Sequence, residues 1–121
     1  MGAIKLATSN NTDEEYGGTF ENDWQYVDTK AVGTALAIPS GAKELYIMSQ
    51  ITGDDTIIIS THIIVATLTT SQKIFRNGYF VNTSNNASSA VIATTSAVTL
   101  QSFHYGGTSQ SNSQMIVYAK I

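Results

Sequence analysis

From residue 31 onward, apolar and polar positions alternate with a period of two or gather into short β-branched runs, which is strand spacing. Residues 31–38 form one run and lead into Pro39-Ser40-Gly41, where proline presets one dihedral and glycine tolerates the next, so a turn is predicted. Residues 44–52 alternate, with Leu45, Ile47 and Ile51 on one face against Tyr46, Met48 and Gln50, and Gly53-Asp54-Asp55 closes the strand as a hairpin turn. Residues 56–69 are apolar on both faces. That predicts a strand covered on each side or held at an interface, because such a sequence left as an open edge would aggregate.

Residues 73–81 contain Arg76-Asn77-Gly78-Tyr79, and Asn-Gly between apolar residues predicts a hairpin turn inside this stretch. A polar loop is expected over 82–89, two strands joined near Thr95-Ser96 over 90–105, and a second polar loop over 106–113. Residues 114–121 alternate again, with Met115, Val117, Ala119 and Ile121 opposed to Ile116, Tyr118 and Lys120. No amphipathic helix emerges. About seven or eight short strands with regular turns predict an all-β chain folded as an antiparallel, jelly-roll-like β-sandwich.

The charge pattern divides this picture. Six of the nine acidic residues, Asp13, Glu14, Glu15, Glu21, Asp23 and Asp28, precede residue 30, and none follows Asp55. Residues 1–30 are therefore expected as an acidic N-terminal arm or connector, and 31–121 as the sandwich head. At 121 residues the chain fits a single core. Only 12% of residues are charged, whereas Ser, Thr, Asn and Gln supply 43 positions, so the expected surface is mainly neutral hydroxyl and amide. The absence of cysteine excludes disulfides, Cys-ligated zinc, iron–sulfur clusters and a thiol nucleophile. A formal charge of −3 gives no overall field for phosphates, so nucleic-acid binding is not expected. The first six residues carry no long apolar segment of a signal peptide, and Leu6 stands where a myristoylation signal wants Ser or Thr. Residues 57–68 are interrupted by Ser60, Thr61, His62 and Thr67 and fall short of the roughly 18 apolar residues of a spanning helix, so membrane insertion is not expected.

Candidate chemistry is sparse. A nucleophile–base pair would need His62 or His104 beside one of 29 Ser and Thr residues, an abundance that makes any single match uninformative. His62, in the most apolar strand, suits a hydrogen-bonded core or interface histidine, with a metal ligand on a symmetry axis as the alternative. Asp54 and Asp55 suit a turn before calcium, and Asp13-Glu14-Glu15 suits a solvated run before a cation site or protein contact. No phosphate loop, zinc signature, EF-hand or nucleophile elbow is present. A small glycan hydrolase or esterase is accordingly the weakest reading, and no catalytic residue, metal site or cofactor is expected.

Binding remains. Neutral polar surfaces with aromatics suit sugars, whose rings stack on Trp or Tyr while Asn, Gln, Ser, Thr and Asp hydrogen-bond their hydroxyls. Trp24 and Tyr26 share a face, for core packing, arm docking or ligand stacking. Tyr79 and Phe80 project oppositely, one to the core and one outward. His104, in Phe103-His104-Tyr105-Gly106-Gly107, suits a loop-supporting role or ligand contact. The favoured ligand contacts are Trp24, Tyr79, His104 and Tyr105, with the loops 82–89 and 106–113 as the recognition end.

Residues 31–121 carry a set of motifs in order: Ala37-Ile38-Pro39-Ser40-Gly41-Ala42-Lys43-Glu44-Leu45-Tyr46-Ile47, Arg76-Asn77-Gly78-Tyr79-Phe80, Val98-Thr99-Leu100, Tyr105-Gly106-Gly107 and Val117-Tyr118-Ala119-Lys120. This set resembles the C-terminal head modules of tail-fibre or baseplate proteins of bacteriophages and prophages of Gram-positive hosts. The resemblance implies a β-sandwich head, usually a homotrimer, that attaches the virion to a host cell-surface glycan or protein and contacts other virion proteins. It also implies synthesis in the host cytoplasm without a signal peptide and action outside the cell. Members of that family usually end a longer fibre polypeptide, whereas this chain begins at Met1. The alternative expectation is a purely structural virion protein, a decoration or fibre-assembly piece in which Trp24, Tyr26 and the acidic arm dock onto a neighbour.

Overall fold

The computed structural model describes residues 24–80 and 84–121. These form nine strands: β1 (Trp24–Ala31), β2 (Ala35–Ala37), β3 (Glu44–Ile51), β4 (Ile58–Ile64), β5 (Gln72–Phe80), β6 (Asn85–Ala93), β7 (Ala97–Tyr105), β8 (Thr108–Ser109) and β9 (Ser113–Lys120). A short 3₁₀ turn at Val65–Thr67 follows β4. The strands build two antiparallel sheets, one ordered β1-β9-β3-β4 and the other β2-β7-β6-β5 with β8 paired to β7. The two sheets share one hydrophobic core, so the chain is an all-β sandwich.

Period-two alternation decides which side chains enter that core. Leu45 and Ile47 of β3, Ile59 and Ile63 of β4 and Met115, Val117 and Ala119 of β9 come from the first sheet. Leu36, Phe80, Val91, Val98, Leu100 and Phe103 meet them from the second. Leu100 and Phe103 both point inward although three residues apart, because β7 is irregular opposite Ala90 and Val91. Gln101 is the extra residue, and the bulge restores the apolar phase of the strand.

The turns fall largely where the sequence places them. Gly41 and Gly53 adopt positive φ after β2 and β3. Asp54 accepts hydrogen bonds from the Thr56 backbone N–H and hydroxyl, and Asp55 accepts one from Gln50 Nε2, so both carboxylates serve the β3–β4 connection. Between β6 and β7, Thr94 Oγ1 accepts from the backbone N–H groups of Ser96 (3.2 Å) and Ala97 (3.0 Å), the local side-chain capping that favours Thr in turns.

Several expectations are corrected. The run 31–38 is not one strand: Gly33, at φ +86°, turns the chain from β1 in the first sheet to β2 in the second. Asn77-Gly78 is not a turn but the middle of β5, paired with Ser88 and Ala87. Nine consecutive cross-strand pairs outweigh the local preference of two residues. The loop expected over 82–89 is largely the start of β6, and β8 occupies part of the second expected loop. The apolar stretch expected as a strand over 56–69 ends at Ile64, and among the described strands β4 is the outermost of its sheet. Residues 24–30, expected within the N-terminal arm, form most of β1 and pair with β9. The rest of that arm lies outside the described residues.

Candidate functional site

Each sheet has one outer face, and the two faces differ in chemistry. On the first sheet the register aligns Tyr26, Tyr118, Tyr46 and His62 in one row across β1, β9, β3 and β4. Tyr26 and Tyr118 meet edge to face at 5.8 Å, and Tyr46 stacks on His62 at 5.8 Å. The Trp24 indole stands edge-on to Tyr46 at 5.7 Å and meets the His62 ring at 6.1 Å. Trp24 is only 3% exposed and clusters with Met48 and Ile58. In the next row Glu44 Oε1 accepts from His62 Nε2 at 2.7 Å while Lys120 Nζ lies 3.7 Å from Oε2. Burial, and secondarily the neighbouring Tyr26 phenol, push the Tyr118 phenol above its ordinary value. The rings and charges of this face engage one another.

On the second sheet, alternation along β5 sends Ile74 and Phe80 to the core and Lys73, Phe75, Asn77 and Tyr79 outward. Phe75 is 61% exposed and Tyr79 55%. The register sets Asn77, Ser88, His104 and Ser109 in one row across β5, β6, β7 and β8, with Tyr79 opposite Asn86 in the adjoining row. Two exposed rings therefore flank a strip of amide, hydroxyl and imidazole groups. Lys73 holds its ammonium 5.3 Å from the Phe75 ring centre, and Arg76 donates from Nη1 to the Phe75 carbonyl at 2.9 Å.

The four contacts expected from sequence do not form one site. Tyr79 and His104 share the outer face of the second sheet. Tyr105 pairs with the buried Ala87 and turns to the core side, where its hydroxyl accepts from Asn85 Nδ2 at 3.4 Å. Trp24 lies on the opposite side of the sandwich, buried against Tyr46 and His62. Phe75 was missed by sequence reasoning. Its signal was the alternation of Lys73, Phe75, Asn77 and Tyr79, which a turn at Asn77-Gly78 hides.

Among the described residues no group of three or more His, Asp or Glu side chains is placed to hold a metal ion. Among the same residues no helix is long and apolar enough to cross a membrane. Comparison of the chain with protein-family models, with curated proteins and with solved structures found no match.

Proposed function

We propose that this protein is a non-enzymatic adhesion module of the phage tail-fibre or baseplate kind, binding a host cell-surface glycan on the outer face of its second sheet. The observation that carries the reading is the pair Phe75 and Tyr79, each more than half exposed on one face beside Asn77, Ser88 and His104. A saccharide suits them because its C–H faces stack on rings while its hydroxyls engage amide, hydroxyl and imidazole neighbours. Association as a homotrimer belongs to the same reading. It is supported by β4, whose seven residues include no Lys, Arg, Pro, Asp or Glu to blunt an edge and leave Ile64 exposed.

The test is binding of fluorescently labelled protein to a panel of Gram-positive cells and to a glycan array, alongside Phe75→Ala and Tyr79→Ala variants whose circular dichroism matches the parent. Binding that both variants abolish is the expected result. A protein that binds no cell and no glycan, yet assembles onto virion components, overturns the reading in favour of a purely structural role. Sedimentation equilibrium checks the assembly, with a mass three times 13.0 kDa expected.

A further inference from the structure

We infer that the ligand of the Phe75–Tyr79 face is an acidic polysaccharide, its sugar rings stacked on the two aromatic side chains and its anionic groups held by Lys73 on that face and by Arg76 along the margin of the same strand. The inference rests on the glycan reading above and adds the ligand's charge. Although the chain as a whole is acidic, the strands of the second sheet contain no Asp or Glu, and their formal charges are Lys73 and Arg76 alone. The net charge of −3 thus conceals a locally cationic strand.

Both cations are organised around Phe75. Lys73 lies over its ring on the outer face. Arg76, which alternation places on the opposite side of β5 with Ile74 and Phe80, is exposed on this outermost described strand and donates to the Phe75 carbonyl, so its guanidinium stands beside Phe75 along the strand rather than over the aromatic face. Neither enters an ion pair with another described residue; the ion pairs of the described chain are Lys30–Asp28, His62–Glu44 and Lys120–Glu44, all on the first sheet. A cation beside an exposed ring and without an internal counter-charge is the arrangement that complements a ring bearing an anion. Arg76 keeps further N–H donors for a carboxylate, phosphate or sulfate after its one bond to the Phe75 carbonyl.

Spacing favours an extended chain over a single sugar. Phe75 and Tyr79 are four residues apart on one strand, about 13 Å along β5. One monosaccharide cannot cover both rings, whereas a short run of linked units can, with Asn77 between them. Two cations are too few to track a nucleic-acid backbone, whose binding scales with the number of phosphates neutralised. The acidic character of the whole chain opposes that partner further.

The experiment is biolayer interferometry of the full chain against alginate, which carries carboxylates, dextran sulfate, which carries sulfates, neutral dextran, and single-stranded poly-dT. Expected is binding to one or both anionic polysaccharides over dextran, weakening as sodium chloride rises, with the preferred anion read from the two charged arms. The Lys73→Gln/Arg76→Gln double variant, at exposed positions, is expected to lower that affinity about tenfold with an unchanged melting curve. Its residual binding is expected to vanish in Tyr79→Ala. Equal binding of dextran and the charged polymers, or a double variant of unchanged affinity, overturns the acidic ligand and leaves the glycan reading standing. Preference for poly-dT overturns both, as does no binding to any polysaccharide here together with none on the cell panel and glycan array.

Discussion

Two threonines of the same sandwich are expected to respond to the same substitution with opposite sign. Thr61 sits on the core face of β4, 0% exposed, opposite Ile47 and flanked along the strand by Ile59 and Ile63. Its hydroxyl has no hydrogen-bond partner among the described residues, and the same is true of Ser49 Oγ in β3 and Ser89 Oγ in β6. A buried hydroxyl without a partner costs roughly 1–3 kcal/mol of desolvation. Valine keeps the β-branched shape and removes that cost. Thr61→Val is therefore expected to stabilise the protein by about 1 kcal/mol, or roughly 4 °C in Tm for a domain of this size. Thr94 supplies the contrast, because its Oγ1 accepts from two backbone N–H groups of the β6–β7 turn and donates to the Ala97 carbonyl at 3.2 Å. Thr94→Val is expected to cost about 1 kcal/mol by leaving those groups without their local partner. Urea denaturation followed by circular dichroism reads both changes as shifts in midpoint at constant slope. If Thr61→Val melts at or below the parent temperature, the hydroxyl is satisfied in solution and the reasoning fails.

Trp24 is the single tryptophan and reports on the first sheet's outer face. His62→Ala removes its ring contact at 6.1 Å and the Glu44 hydrogen bond, so a red-shifted Trp24 emission and a loss of about 1 kcal/mol are expected; unchanged emission in fluorescence spectroscopy would contradict the ring cluster. The Tyr118 phenol, raised by burial and then by Tyr26, is expected to ionise above the ordinary tyrosine value in an ultraviolet titration. The sign follows from linkage: the folded state holds this proton more tightly. Its contribution to stability is thus complete below the ordinary tyrosine range of about 10 and is lost as pH rises through the folded value. Tyr118→Phe should flatten that alkaline decline, and an identical decline in the variant would refute the assignment.

The fold was legible where local preference and tertiary pairing agree. The alternation of Leu45 and Ile47 with Tyr46 and Met48, and of Met115 and Val117 with Ile116 and Tyr118, separates two faces on each strand, and the structure turns the first set of each to the shared core and the second to the outer cluster. The β6–β7 join near Thr95-Ser96 was also legible, because Thr94 caps the backbone there in the way a turn residue does. Legibility ended where pairing partners outvote a dipeptide. Asn77-Gly78 has the composition of a tight turn, yet Ser88 and Ala87 hold it extended. The error propagates: a turn at that point sends Phe75 and Tyr79 onto separate strands, and their common face disappears. The aromatic row of the first sheet was hidden for another reason. Its members come from four strands remote in sequence, and only the register brings Tyr26, Tyr118, Tyr46 and His62 side by side.

The contrast between the outer faces favours the second sheet as the proposed ligand face. On the first sheet the rings contact one another, Glu44 is shared by His62 and Lys120, and Lys30 is paired with Asp28. A ligand arriving there must replace interactions already made, so part of its binding energy is cancelled by those it breaks. On the second sheet Phe75 and Tyr79 are mostly exposed, and Lys73 and Arg76 have no carboxylate partner among the described residues. An incoming sugar meets the exposed Tyr79 ring directly and, at Phe75, an ammonium already seated over the ring, with which an anion can pair. The aromatic count of the first face is higher, yet recognition is expected on the second, because binding follows the interactions a surface has not yet satisfied.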